Sequence, residues 1–466
     1  MSDYSGFKKF VKKAAEQFSK IPKSETIRIV SHLDADGIAA ASIFIKAIQR
    51  DNRKYIVSIV HQLNKQVIDK LKQEDYLYYV FCDLGSGQLE YIIENLPSKQ
   101  ILILDHHKIS KSESKNIIHV NPHIFGIDGS KEISGAGVVY FFATALSKQN
   151  EDMSHIALVG ATGDNQESNG FLELNNEILE TAKRLNLIKV HKGLRLFGIQ
   201  TRPLYRALQY CSDPFIPGVS GSESGAIQFL NNIGIVPHGE STFKKLIHLN
   251  DEEMQKLVAG VIMKRVNEEK PDDIFGNVYT LLNEKEGSSF RDTKEFSTLL
   301  NSTGRLKKAS LGISVCLGNE RSKGKANTLL KEYRKEIVNA INWFKDNSDE
   351  NSIIKGNNFV IINTEDNILP TMVGTLASIL SKSNDYANGT FILSLGQLGD
   401  GYSKISLRMA GQVEGIDLKK IVQNITEGLD ESETGGHNFA AGAMIKTEDE
   451  ITFITKAKEV FENLKT

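Results

Sequence analysis

Apolar residues in the first part of the chain fall into short runs separated by amphipathic stretches. Between residues 25 and 187, IRIVSH, YIVSIV, YLYYVFC, ILIL, IIHV and IALVGAT read as buried strands. Between several of them apolar positions return every three or four residues, which predicts helices over 38–50, 65–72, 88–95 and 137–146. Strand alternating with helix predicts a parallel sheet wound with helices. From 192 to 347 the pattern changes. A proline-marked segment, TRPLYRALQYCSDPFIPGVSG, leads into helical runs at 223–232 and 251–268, and a long amphipathic helix is predicted over 323–343. From 353 the alternation returns, with FVIINT, TFILSLGQ, SKISLRMA and AMIKT as strands and 369–381 and 418–425 as helices. The expectation is an α/β protein in three parts: a parallel-sheet domain over 1–200, a mainly helical middle region and connector helix over 201–347, and a smaller α/β domain over 348–466.

A length of 466 residues fits that division, because one compact core rarely serves so long a chain. The longest mostly apolar run, 136–146, is too short to span a bilayer. The start of the chain is a basic amphipathic helix without the apolar centre of a secretion signal. Cys82, Cys211 and Cys316 are odd in number and far apart, which suits a reducing cytoplasm. Charge nearly balances, 56 Lys and Arg against 58 Asp and Glu, so the chain is no basic coat for a polyanion. Two local basic patches stand out, Lys8, Lys9, Lys12 and Lys13, then Arg321, Lys323, Lys325, Lys331, Arg334 and Lys335. Taken alone, each reads as a solvated helix face.

The candidate chemistry sits where apolar runs end. His32, Asp34 and Asp36 follow the first, Asp83 follows YLYYVFC, Asp105-His106-His107 follows ILIL, and Asp164 follows IALVGATG. Carboxyl ends of parallel strands share one edge of a sheet, so these segments converge. If the first segment is extended, His32, Asp34 and Asp36 line one wall. Asp34, Asp36, Asp83 and Asp164 brought together raise one another's pKa unless cations intervene. Oxygen-rich ligands with one or two imidazoles suit Mn²⁺ or Mg²⁺. Each fragment alone has a bland explanation: a turn for DADG, a helix cap for Asp83, packing for the paired histidines. Their shared position is what points to a metal centre.

At these residues the sequence resembles the DHH phosphoesterase family, whose triplet is Asp105-His106-His107, and within it the RecJ-like exonucleases of the archaeal branch. SHLDADG, VFCDLGSG, LDHH, ISGAGVVY and LVGATGDNQ match in order, and GGHNFAAG resembles the signature of the C-terminal DHHA1 domain. DPFIPGVSG and LLNSTGRLKKASLGISVCLG also look like the archaeal branch. The resemblance implies Asp34, Asp36, Asp83, His106 and Asp164 as ligands of two divalent cations, with Asp83 bridging. His107 would contact the substrate phosphate, and Asp105 would orient its neighbours. His32 stands where bacterial relatives carry Asp, so ligand and hydrogen-bonding neighbour are both open to it.

For substrate contact the resemblance points to Gly435, Gly436 and His437, whose alternative is a glycine turn with an exposed histidine. Lys404, Ser406 and Arg408 share one face of SKISLR, as a phosphate clamp or as the solvent face of an edge strand. Arg305 is a further candidate. Ser134 either caps the helix that follows or helps hold a phosphate at its positive end. The implied activity is release of 5′-mononucleotides from single-stranded DNA or RNA, in replication or repair, with association with the GINS replication complex and no membrane. An oligoribonuclease or cyclic-dinucleotide phosphodiesterase on the same scaffold, or a replication-complex scaffold with little catalysis, are the rival expectations.

Overall fold

The structure, a computed structural model, describes residues 2–110, 114–238, 243–348, 352–383, 385–411 and 413–464. It divides into two compact units, Met1–Leu329 and Leu330–Thr466.

The first unit opens with α1 (Tyr4–Ser19) and then alternates β1 (Thr26–His32), α2 (Ala35–Arg50), β2 (Lys54–Val60), α3 (Lys65–Lys72), β3 (Tyr78–Cys82), α4 (Leu89–Asn95), β4 (Gln100–Leu104) and β5 (Ile117–Val120). The five strands are all parallel, in the order β2-β1-β3-β4-β5. Both faces are covered, which is why β3 and β4 are apolar almost throughout and β1 is buried along its middle in spite of Arg28 and Ser31. On one face Val30, Tyr79, Phe81, Ile101 and Ile103 pack with Ile68 and Leu71 of α3 and Leu89 and Ile92 of α4. The other face carries α2 and α5 (Gly135–Leu146), with α6 (Ser154–Gly163) packed against both helices.

The run IALVGAT is therefore helix, not strand. Leu158, Val159, Gly160 and Ala161 are all buried, because α6 lies between α2, α5 and α7 (Glu173–Arg184). A helix buried all round loses its polar stripe, and a short apolar run then looks the same in either state.

The middle region contains an antiparallel pair that the pattern did not suggest, β6 (Ile188–Leu194) with β7 (Phe275–Leu281). Between them come α8 (Leu204–Gln209), α9 (Glu223–Asn232) and α10 (Asp251–Arg265), whose Leu204, Leu208, Phe229, Leu230, Leu257 and Val261 share a core with Leu194, Ile274 and Val278. The lysines and histidine of β6 mask it as a loop. Then follow α11 (Thr293–Arg305), α12 (Ala309–Cys316) and α13 (Glu320–Asp346), within which the division between the units falls.

Asp292 caps α11, accepting from the N–H groups of Lys294 and Glu295, both at 3.0 Å. Burial, reinforced by the Glu295 carboxylate, pushes its carboxyl up to about 7. The folded protein thus holds a proton that an unfolded Asp releases near pH 4, so this group costs stability as pH rises from there to about 7. Asp292→Asn keeps the cap and removes the charge. Its melting temperature should exceed wild type by about 3 °C at pH 8 and match it at pH 4; equal shifts at both pH values would contradict this account.

The second unit holds a six-stranded sheet in the order β12-β13-β11-β10-β9-β8. Its elements in chain order are β8 (Ile353–Lys355), β9 (Phe359–Asn363), α14 (Val373–Ser381), β10 (Phe391–Gln397), β11 (Tyr402–Met409), α15 (Leu418–Thr426), β12 (Glu433–His437), β13 (Ala440–Lys446) and α16 (Glu450–Asn463). Only β9 and β10 pair in parallel; the sheet is mixed. Phe453 and Phe461 of α16 share a core with Phe359 and Phe391. SKISLR is not an edge strand, since β11 lies between β10 and β13. Among the described residues no helix is long and apolar enough to cross a membrane.

Candidate metal centre

Five elements deliver side chains to one end of the parallel sheet. The last residue of β1 is His32, and the chain turns at once into α2, with Asp34 as its N-cap accepting from Gly37 N–H at 3.0 Å. Asp36 therefore stands in the first helical turn, not on an extended wall with His32 and Asp34. Asp83 follows β3 in a left-handed backbone conformation, φ 59°, with its N–H held by Leu104 carbonyl at 2.9 Å. Asp105, His106 and His107 follow β4, and Asp164 caps the C-terminus of α6.

The ligand-type atoms fall into three overlapping groups: His32, Asp34 and Asp83; Asp36, His106 and Asp164; and Asp83, Asp105, His106 and His107. Asp83 belongs to two of them through different oxygens. Its Oδ2 lies 3.7 Å from His32 Nδ1, which is 3.0 Å from Asp34. Its Oδ1 lies 3.3 Å from His106 Nε2, which is also 3.3 Å from Asp164 and 3.8 Å from Asp36.

The chemistry of these atoms fits a cation. His106 Nδ1 donates to the Gly129 carbonyl at 2.6 Å, so it is Nε2 that faces three carboxylates, and its lone pair must take up a cation or, without one, a proton. A lone pair facing anions is repulsive unless positive charge sits between them. His32 Nδ1, Asp83 Oδ1 and His106 Nε2 are buried without a hydrogen-bond partner of acceptable geometry. A metal-binding imidazole is held through its other nitrogen in just this manner.

Electrostatics point the same way. Burial, then the charges of Asp83 and Asp164, drive the Asp36 carboxyl well above the ordinary carboxylate range. Burial outweighs the pull of His106 and lifts Asp164 to about 7, with Asp34 and Asp83 adding to the rise. Against burial, His32 holds Asp34 below its usual range. His32 and His106 rise well above the ordinary imidazole value despite burial, drawn by Asp34 for the first and by Asp83 and Asp164 for the second.

Neighbouring backbone fixes the ligands. Both oxygens of Asp36 accept from the start of α5, Gly135 N–H at 2.6 Å and Ala136 N–H at 3.0 Å. At Gly135 a Cβ would lie 2.4 Å from Asp83 Oδ1, so only glycine lets α5 come this close. Asp105 accepts from Ser86 N–H at 2.9 Å, His106 N–H at 2.8 Å and His107 Nδ1 at 2.7 Å. It orients the two histidines, and against burial His107 holds its carboxyl low.

Other candidates are placed differently. Ser134 is fully buried and caps α5, accepting from Gly137 N–H at 3.2 Å. The first N–H groups of that helix go to Asp36, so of the two readings of Ser134 the structure shows the cap, and the helix end offers no phosphate site. Arg305 ends α11, which packs on α2 and α6. In the second unit Lys404 and Ser406 are buried, and Arg408 donates to Ser378 Oγ at 3.0 Å and to the Leu407 carbonyl at 2.8 Å. Their shared face is covered by α14, where a Cβ on Gly374 would lie 3.0 Å from Ser406 Oγ. Gly435, Gly436 and His437 form part of β12, a strand where a turn was the alternative, with Gly436 at φ 117°; the His437 side chain lies outside what the structure describes.

Sequence reasoning missed Gly129 and Gln166. Gln166 donates to the Gly129 carbonyl at 3.1 Å and accepts from Asn175 Nδ2 at 2.6 Å, fixing the carbonyl that orients His106. Gln166 stood two places after Asp164 in the same motif. Gly129 acts through its carbonyl, which leaves no mark in a sequence.

Comparison with known proteins matches three family models: the DHH family N-terminal domain over residues 26–163, a DHH-CID domain over 196–277 and a DHHA1 domain over 356–463. An uncharacterised protein of Methanocaldococcus jannaschii is 31% identical over 440 residues, 93% of each chain. Among solved structures, CDC45 from Entamoeba histolytica is similar with a TM-score of 0.64 at 12% identity, over 97% of this chain and 99% of that one. RecJ from Thermus thermophilus in complex with Mn²⁺ is similar with a TM-score of 0.60 at 13% identity, over 98% of this chain. The chain spans 55% of that RecJ's length. An exonuclease RecJ bound to manganese gives 0.55 at 13% identity, over 98% and 95% of the two chains. At these identities the likeness is one of fold.

Proposed function

Since this chain belongs to the DHH family and carries its DHH, DHH-CID and DHHA1 domains, we propose that it is a divalent-metal-dependent exonuclease releasing 5′-mononucleotides from single-stranded DNA or RNA. Catalysis is assigned to residues 1–200, connection to 201–347 and substrate binding to 348–466, in a cytoplasmic protein of replication or repair. The observation that carries the reading is Asp83, whose two oxygens serve two groups of ligand atoms.

Asp34, Asp36, Asp83, His106 and Asp164, with His32 beside them, would hold two cations. The Mn²⁺ and Mg²⁺ in the Thermus RecJ complexes favour those ions. When bound, they supply positive charge for the phosphoryl oxygens and for the attacking water of an in-line displacement. His107, raised above the ordinary imidazole value by Asp105 in spite of burial, is suited to meet charge growing on the phosphoryl group. Asp105 keeps that ring in place. The Gly435-Gly436-His437 strand is assigned to the substrate's phosphates by family resemblance, and Arg408 and Arg305 as further candidates, while Lys404 and Ser406 lie buried beneath α14.

The test is degradation of end-labelled single-stranded DNA and RNA with Mn²⁺, beside dinucleotides and cyclic dinucleotides. Mononucleotides released from long strands are the expected product. Cleavage of the short substrates alone would transfer the assignment to an oligonucleotide or cyclic-dinucleotide phosphodiesterase, and no cleavage of any would refute it.

The likeness to CDC45 over nearly its full length favours a second reading, a scaffold in a replication complex. A pull-down with purified GINS tests it, and failure to bind would count against it. The occupied ligand positions argue that any such role accompanies catalysis.

A further inference from the structure

Helix α11 lies outside all three segments matched by family models, yet it touches the ligand loop directly. The side-chain oxygen of Asn301 accepts from Ala35 N–H at 3.0 Å. Ala35 is the first residue of α2, between Asp34 and Asp36. The opening N–H groups of α2 have no partner within their own helix. Gly37 N–H is taken by Asp34 Oδ1, which turns the other oxygen of Asp34 towards His32. Ala35 N–H is taken by Asn301, from a residue 266 positions away.

One turn further along, Gly304 brings α11 against the same loop. A Cβ there would lie 1.7 Å from the Leu33 carbonyl oxygen, so the backbones meet with no room for a side chain. The helix is also tied at its start. Lys294 pairs at 3.3 Å with the buried Glu167, three residues after Asp164, and Glu295 accepts from Gln200 N–H at 2.7 Å and from the Thr201 hydroxyl. With its start anchored, α11 presents Asn301 from a fixed position.

We propose that Asn301 is a positioning residue for the metal centre: its amide oxygen fixes the start of α2, and with it the directions in which Asp34 and Asp36 present their carboxylates. This rests on the metal reading above and adds a residue outside the ligand set. Removing a partner that orients a ligand typically costs 10- to 100-fold in metal affinity, and the lower figure suits a residue acting through the backbone.

The experiment compares wild type, Asn301→Leu, which keeps the shape and loses the acceptor, and Asn301→Asp, which keeps the acceptor. Mn²⁺ binding is measured by calorimetry and by the free-ion electron paramagnetic resonance signal, with kcat and KM on a labelled single strand. In N301L the Mn²⁺ dissociation constant should rise about tenfold and kcat at limiting Mn²⁺ should fall in step. KM for the strand and the metal-free melting temperature should stay near wild type, and N301D should bind Mn²⁺ within about threefold of wild type. Should N301L fail to fold, Asn301→Ser, too short to reach Ala35, is expected to show the same loss of Mn²⁺ affinity. Wild-type Mn²⁺ affinity in the leucine or serine variant, or equal losses in N301L and N301D, would overturn the inference while leaving the metal reading standing. A wild-type protein that binds no Mn²⁺ would overturn both.

Discussion

Asp83→Asn should lower Mn²⁺-dependent nucleotide release by on the order of 10³-fold or more, equivalent to about 4 kcal/mol of transition-state stabilisation. No other single substitution should cost as much, because among the described residues Asp83 alone offers one oxygen to the group of His32 and Asp34 and the other to that of His106. Asparagine has the same shape and, like aspartate, tolerates the left-handed backbone found here, φ 59°. The fold should therefore survive. Its amide keeps one ligand oxygen, while the NH₂ group presents hydrogens where the second cation would sit. Calorimetry should show Mn²⁺ stoichiometry falling along with activity. Turnover near the wild-type rate would refute the assignment of Asp83.

The second large effect concerns stability. Without metal the protein should lose stability as pH rises from about 5 to 8.5, and Mn²⁺ should restore it most at the alkaline end. Asp36 lies well above the carboxylate range and Asp164 at about 7, so the folded state holds protons there that the unfolded chain has released. Stability from such groups is full in acid and falls as pH climbs through the folded values. The raised imidazoles of His32, His106 and His107 act in the same direction, their contribution present below the ordinary histidine value and lost above it. Asp34 and Asp105, both held low, work the opposite way, but their contribution is lost only in strong acid. Metal ligands must be deprotonated to bind, so Mn²⁺ and protons compete for the same atoms. At a hundredfold excess over its dissociation constant Mn²⁺ contributes about 2.7 kcal/mol. Scanning calorimetry should then show a rise of about 5 °C at pH 8 and under about 2 °C at pH 5, reversed by chelation. A Mn²⁺ shift independent of pH, or metal-free stability that increases from pH 5 to 8, would contradict it.

The amino-acid pattern by itself determined the parallel sheet, the helices between its strands and the gathering of Asp34, Asp83 and the Asp105-His106-His107 triplet near one edge, whereas Asp164 joins them from the end of a helix read as a strand. The first three are local matters. A strand buried on both faces must be apolar along its length, and the residues just past its end are set by chain order alone. The tertiary structure decided everything that depends on distant partners. It made IALVGAT a helix, since burial on every side erases the polar stripe that marks one. It separated Asp36 from His32 and Asp34 by starting a helix among them, and it gave Ser134 to a cap. It buried Lys404 and Ser406 beneath α14. It also brought in a glycine carbonyl at 129 and an asparagine at 301 to steady the ligands. A backbone carbonyl or a lone amide carries no periodicity or charge in one dimension, and only folding sets it beside the group it holds.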